Sequence, residues 1–367
     1  MQPADYPYLK HSFATHRVPL SSMSGIAPFE RAPRVGDLVA AEVLSIGRHT
    51  AIEGRDGVST ALFPGDRIVG VFGNRYATDQ YEGYVPAGVV EECDVLSVGG
   101  VCGLVISRHE SILKEPTRLR VLGAVCDRGG YPLNQRDFGM RAACDAGGGE
   151  VILVVGTSMN SGKTTLAGTL VNMLTRAGHG VAAAKVTGTA AGKDARFFAS
   201  AGARPALDFT HVGYPSTFML EIDELLAIHR TLLAHLRAGE PDYVVLEVAD
   251  GLLQRETGML LASGTFRDSI DHVFYAGGDA LAIESGVRHL RARDLPVRAT
   301  GGVISQSALA SLEAERATGL PCLTGERLLA GEAVRILGAN RKPRRPALGA
   351  EIARRDPARA VAVAQGS

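Results

Sequence analysis

The chain has no net charge to direct it, since 39 Lys and Arg residues balance 39 Asp and Glu. That balance leaves no electrostatic footprint for nucleic acid or an anionic membrane surface. The stretch MQPADYPYLK has neither the basic start nor the apolar core of a signal peptide. No uninterrupted apolar stretch approaches the ~20 residues that cross a bilayer. Cysteines are few: Cys93, Cys102, Cys126, Cys144 and Cys322 are odd in number, scattered and free of CxxC spacing. They suggest neither a disulfide framework nor a structural zinc site. There is no GxSxG elbow, no cysteine with a recognisable partner histidine, no guanine-reading N/T-K-x-D motif and no internal repeat. These absences predict a soluble cytoplasmic protein with neither nucleic acid nor membrane as partner.

Apolar residues make up 46% of the chain, enough for ordinary cores, and 367 residues exceed one typical domain. Residues 1–34 have no clear periodicity and read as an arm or lead-in. From Val35 to about Leu122, short runs rich in Val and Ile are broken by Pro64-Gly65-Asp66 and Gly99-Gly100. Such runs predict strands of a small β-barrel or sandwich, and the β-rich domain is placed at 35–146. Residues 123–150 read as a connector, with Gly147 to Gly149 as its hinge. The rhythm then changes. VILVV (151–155), VAAAKV (181–186), YVVLEV (243–248), HVFYA (272–276) and PVRAT (296–300) are apolar strands, with PCLT (321–324) a further candidate. Helices are expected between them, including 163–176 and 217–237. On the second, Leu225, Ile228, Leu232 and Leu236 mark one face. Strands alternating with helices predict an α/β domain over 147–339 with a mostly parallel sheet covered on both faces. Residues 340–367, rich in Arg, Pro and Ala, read as a disordered tail.

The strongest signal is Gly156-Thr157-Ser158-Met159-Asn160-Ser161-Gly162-Lys163-Thr164-Thr165. It follows a buried-type strand and opens a helix, the context a phosphate-binding P-loop requires. Glycines allow backbone N–H groups to turn toward phosphate oxygens, and the helix N-terminus adds partial positive charge. Lys163 is then placed to reach the β- and γ-phosphates. The Thr164 hydroxyl would sit on Mg²⁺, with Thr165 nearby. Five residues separate Gly156 from Gly162, one more than the standard Walker A spacing allows.

Gly-Thr, four residues, then Gly-Lys-Thr resembles the loop of dethiobiotin synthetase and of the amidating cobyrinic and cobyric acid synthases, P-loop NTPases of one branch. The resemblance covers residues 151–335 and does not reach the β-rich domain. A weaker resemblance is to a family in which a similar P-loop domain follows a separate N-terminal domain. Some of its members are linked to acyl transfer onto amino acids. The first resemblance implies ATP and Mg²⁺ as cofactors and, for Lys185 at the end of its strand, a role toward substrate and phosphate. Val186 stands where that family usually has proline, so a solvated strand-end lysine stays an equal alternative. Glu247, alone among apolar neighbours, is costly unless it meets a metal, a cation or a donor, and it fits a Walker B acid. The family's Glu-Gly-Ala-Gly-Gly keeps its counterparts at Glu247 and Gly251, but Asp250 replaces a glycine. Asp250 is a candidate metal ligand or general base; a salt-bridged strand-end pair is the alternative.

Other candidates are more open. The small polar loop Thr187 to Asp194 suits either a substrate-facing loop or an ordinary connection. Gln254 and Glu256 read as substrate contacts or solvated residues. Asp208 stays undecided between metal, substrate amine and neither, while Asp279 reads as a helix cap. Ser305 and Gln306 fall where the related synthases read the base. His229 and His235 lie six apart on different faces, and His109 sits in a polar turn.

Three functions are weighed. The first is an ATP- and Mg²⁺-dependent ligase- or kinase-like enzyme that activates a small carboxylate, or similar substrate, by phosphoryl transfer. The resemblance implies an acyl phosphate closed by nitrogen attack. Lys163, Lys185, Glu247 and Asp250 are the expected catalytic residues, with Thr164, Glu247 and Asp250 around the metal. Asp250 has its role from its place on the strand edge, since that family does not require one there. A nucleotide-switched, GTPase-type chaperone or maturation factor ranks behind it. An acyltransferase holding coenzyme A phosphates in the P-loop takes a smaller share. A homodimer is expected from the resemblance alone.

Overall fold

The computed structural model describes residues 9–145 and 147–338, and the expected tail at 340–367 lies outside them. The first half is built from β1 (Leu9–His11), β2 (Gly25–Ala27), β3 (Leu38–Ser45), β4 (Ala51–Glu53) and β5 (Ser59–Ala61). It continues with β6 (Arg67–Phe72), β7 (Tyr81–Tyr84), β8 (Glu92–Val95), β9 (Val101–Arg108) and β10 (Arg118–Cys126). Strand β6 pairs with β3, β3 with β10, β10 with β8, β8 with β9, and β9 returns to β6. That ring closes a five-stranded barrel, with β1, β2 and β7 added on β6, β10 and β9.

Alternation along these strands serves two cores. Val39, Ala41, Val43, Ile68, Cys93 and Leu119 pack in one cluster. Leu38, Ala40, Val69 and Val71, pointing the other way, pack with Ala14, Val18 and Ala190. The strands therefore read as continuous apolar runs because both faces are covered. This corrects the expected arm. From residue 9 onward the lead-in is stitched into the sheet, β1 parallel to β6 and β2 antiparallel to β10, and it roofs one barrel face. Its three-residue strands are too short to show a period. The expected connector is also shorter at its start, since β10 runs on to Cys126.

The second half contains β11 (Glu150–Gly156), α1 (Lys163–Arg176), β12 (Val181–Lys185), α2 (Lys193–Ala201), β13 (Ala206–Asp208), α3 (Ile222–Arg237) and β14 (Tyr243–Glu247). It continues with α4 (Arg255–Ala262), α5 (Gly264–Arg267), β15 (His272–Ala276), α6 (Ala280–Arg291), β16 (Val297–Gly301), α7 (Ala308–Thr318), α8 (Gly325–Leu329) and α9 (Glu332–Ile336). The six strands run parallel in the order β13-β12-β14-β11-β15-β16. Val151, Leu153 and Val155 of β11 face the core under α3, while Ile152 and Val154 face the core under α1. A parallel sheet with helices on both faces buries its central strands entirely, as the uninterrupted apolar runs require.

Helix α3 begins five residues later than its apolar pattern suggests. Glu221 and Glu224 form a capping box there, and Met219 sits at φ 69, a left-handed conformation that blocks helix before it. Its predicted face, Leu225, Ile228, Leu232 and Leu236, is fully buried. Residues 321–324 form no strand; Cys322 makes a single parallel bridge to Thr300. Among the described residues no helix is long and apolar enough to cross a membrane.

Candidate active site

Parallel sheets offer their carboxyl edge as a binding edge, because loops and helix N-termini converge there. In this chain β11 ends in the Gly-rich loop and α1 starts directly after it. Gly162 is the N-cap of α1 at φ 92, and a Cβ on it would meet Gly302 Cα at 2.8 Å and Val303 N at 3.0 Å. Only glycine fits so close a backbone crossing. The Gly156 carbonyl accepts from Leu252 N–H at 3.1 Å, and Thr157 N–H donates to Ala276 O at 2.9 Å. Those two residues thus anchor the loop to the segment after β14 and to β15, and Ser161 within the loop is buried. Asn160, Gly162, Lys163, Thr164 and Thr165 line the cleft itself.

Lys163 folds over the loop and donates to Ser158 O at 2.7 Å. Burial lowers its pKa, while Glu247 and Asp250 partly restore it. Thr164 Oγ1 donates to Glu247 Oε1 at 2.9 Å. Glu247 is 1% exposed, and its Oε2 has no hydrogen-bond partner among the described residues. Burial raises its pKa, opposed by Lys185 and Lys163. A Thr–carboxylate pair with a spare buried oxygen at a P-loop fits the protein side of a nucleotide-borne Mg²⁺, which takes few protein ligands. No cage of three or more His, Cys, Asp or Glu exists among the described residues.

Lys185 is half-buried, bonded to Asp194 and 3.8 Å from Glu247. Burial alone would lower its pKa, but the carboxylates of Glu247 and Asp194 outweigh that and hold it above the ordinary lysine value. The strand-end lysine is therefore part of a charged network rather than solvated. Asp194 comes from the first turn of α2, which the polar loop 187–194 runs into. In that loop Thr187 Oγ1 donates to Ala249 O at 2.5 Å, tying the end of β12 to that of β14. Asp250 lines the same cleft, its pKa raised by burial against the pull of Lys163 and Lys185. Its carboxylate forms no ion pair with either lysine within the described network, so the expected salt-bridged pair is instead Lys185 with Asp194 and Glu247.

Other expectations resolve differently. Gln254 caps α4 by accepting from Thr257 N–H at 3.0 Å, and Glu256 is 1% exposed, accepting from Met219 N–H at 2.9 Å and pairing with Arg255. Both hold structure and neither lines the cleft. Asp208 accepts from Thr210 and pairs with His211, in a capping box at the end of β13. Asp279 caps α6 through Ala282 N–H at 2.8 Å. Ser305 and Gln306 do reach the cleft. His109 bonds Ser111 in an exposed turn, and His229 is buried against Ser269.

The cleft, about 820 Å³, has a second wall that sequence reasoning missed. His49, Arg75, Tyr76 and Gln80 come from the barrel and face the P-loop. Asp79, from the same segment, accepts a hydrogen bond from Asn160 of the phosphate loop. In the sequence all but His49 sit in GNRYATDQY, a polar loop between strands, with nothing to separate them from ordinary surface residues.

No known protein family matches the chain, and no curated protein does either. Among solved structures it is similar to the signal recognition particle 54 kDa protein of Aeropyrum pernix K1 in complex with GDP. That match has 20% identity and a TM-score of 0.37, over 53% of this chain and 47% of that one. The chain thus spans about half the length of that protein. It is also similar to the septum site-determining protein MinD of Pyrococcus horikoshii OT3 complexed with Mg-ADP, at 15% identity, 50% and 86% coverage and a TM-score of 0.33. A ParA family ATPase of Chlorobium tepidum TLS matches at 13%, with 53% and 93% coverage and a TM-score of 0.31. By its own strand–loop–helix unit and parallel sheet, the second half of the chain has the P-loop NTPase fold.

Proposed function

We propose that the protein binds ATP with Mg²⁺ at the P-loop and transfers a phosphoryl group to a small substrate held against the barrel. The observation that carries this reading is the contact between Thr164 and Glu247, with Lys163 and Lys185 on either side. Phosphoryl transfer asks mainly for positioning and charge neutralisation. The loop amides and Lys163 would grip the phosphates, and Thr164 and Glu247 would hold Mg²⁺, which when bound spreads the charge of the phosphate oxygens. Lys185, fixed by Asp194, supplies a cation at the reacting end. Asp250, on the same edge, is suited to orient a substrate proton or hydroxyl. The dethiobiotin synthetase-like loop favours a carboxylate acceptor, which would be activated as an acyl phosphate.

A second reading, a nucleotide-switched protein, is favoured by one contact. The Asn160–Asp79 hydrogen bond joins the phosphate loop to the barrel and offers a path from nucleotide occupancy to a barrel-bound partner. Calorimetry with ATP, GTP and coenzyme A in the presence of Mg²⁺, on wild type and Lys163→Ala, separates the readings. ATP binding that disappears in the variant supports the enzyme. Preference for GTP supports the switch, coenzyme A alone an acyltransferase, and no binding at all removes the P-loop assignment.

A further inference from the structure

Arg75 stands across the cleft from the phosphate loop, in the segment between β6 and β7. Its backbone is pinned to β7 on both sides: Arg75 N–H donates to Gly83 O at 2.8 Å, and Gly83 N–H donates to Arg75 O at 3.1 Å. The side chain is equally constrained. Nη2 donates to Gln80 Oε1 at 2.7 Å, and the residue is only 7% exposed. Yet Nη1 has no hydrogen-bond partner among the described residues. The carboxylates of Asp79 and Asp250 act on it only through space.

A guanidinium holds its charge at neutral pH, and burial lowers this one only to about 10. Burying a cation with an unused donor is costly unless something satisfies it. The donor belongs to a residue of the cleft wall, and the cleft also carries Lys163, Lys185 and Asp250. Guanidinium groups suit planar and tetrahedral oxyanions because their N–H groups form a rigid fork.

We propose that Arg75 is the barrel's receptor for an oxyanion in this cleft, either the terminal phosphoryl group of the nucleotide or the acid group of the acceptor. This rests on the nucleotide-site reading above. It also assigns the barrel a purpose, since the P-loop domain supplies cations from one side only and Arg75 completes the enclosure. Gln80 is the positioning residue, because its Oε1 accepts from Nη2 and so fixes how the guanidinium sits in the cleft wall.

The test compares full-length wild type, Arg75→Met and Arg75→Lys by calorimetry, with far-UV circular dichroism confirming that each variant is folded. One arm measures the ratio of affinities for Mg·AMP-PNP and Mg·ADP. The other measures malonate binding to protein saturated with Mg·ADP. Arg75→Met is expected to lose about 10- to 100-fold in one arm, the range for a charge-assisted hydrogen bond. Arg75→Lys should recover only part of it, because a lysine lacks the fork. A loss confined to the triphosphate identifies the nucleotide's phosphoryl group as the oxyanion, and a loss confined to malonate identifies the acceptor's acid. Unchanged values in both arms would overturn the assignment. Lys163→Ala run alongside keeps the two claims apart: if it still abolishes Mg·ADP binding, the nucleotide site stands whatever Arg75 does.

Discussion

Thr164 Oγ1 donates a 2.9 Å hydrogen bond to Glu247 Oε1, joining the first turn of α1 to the last residue of β14. Two residues eighty-three positions apart thus form one wall of the cleft. If they hold Mg²⁺ together, Thr164→Val and Glu247→Gln should each weaken Mg²⁺-dependent nucleotide binding by about 10- to 100-fold. Nucleotide affinity measured in EDTA should stay as in wild type. Titration of the two variants with ADP, with and without Mg²⁺, decides it; equal losses in both media would remove the metal role.

Lys185 is the cation that makes a buried carboxylate pair tolerable. Replacing it with Met removes the ion-pair partner that Glu247 and Asp194 share and leaves only the through-space pull of Lys163 on Glu247. The expected cost is about 3–5 kcal/mol of stability, as for a buried pair broken on one side. Adding Glu247→Gln to Lys185→Met should restore part of that loss. Urea unfolding of the two single variants and the double variant reads the coupling directly.

Asn160 occupies φ 60 in the phosphate loop, a conformation open to Gly and Asn but closed to β-branched residues. Asn160→Gly should fold with stability within about 1 kcal/mol of wild type. Asn160→Val should distort the loop and cut nucleotide affinity several-fold more than Asn160→Gly does. Because both remove the bond to Asp79, the difference between them isolates the backbone from the side chain.

His229 is buried, and its pKa is driven down to about 4, first by burial and then by Arg237 and Arg230. In the unfolded chain the imidazole takes up its proton near 6.5, before the folded protein does. Its contribution to stability is therefore complete above pH 6.5 and is lost as pH falls toward 4. Between pH 7 and pH 5 this single site should cost about 2 kcal/mol. His16 and His49, also held near 4 chiefly by burial, act in the same direction. Denaturant melts of wild type and His229→Gln at the two pH values should show a smaller drop in the variant.

The parallel half of the fold was legible because each element carried its own signal. VILVV could only be a covered strand, Gly162-Lys163 only a loop turning into a helix, and the 225–236 face only an amphipathic helix. Glu247 stood out because a carboxylate interrupts an apolar run. Arg75 and Asp79 did not stand out, since each lies in a polar stretch and gains meaning only from what the other domain places opposite. Gln254 and Glu256 misled for the converse reason. Their sequence shows two polar residues after a strand, while their burial and capping partners come from α4 and the loop before α3. The lead-in was misread because residues 9–27 pair with strands more than forty positions away, which leaves no local periodicity.

The seam between the halves has a thermodynamic consequence. A Cβ on Gly99 of the barrel would lie 2.0 Å from Ala190 O, Ser97 donates to that carbonyl, and Glu53 accepts from Gly192 N–H while pairing with Arg196. Ala190 is itself part of the barrel's apolar cluster. Melting either half alone would strip these contacts and bare buried apolar surface, which couples the two cores into one cooperative unit. Scanning calorimetry should then record a single endotherm whose van't Hoff enthalpy equals the calorimetric one.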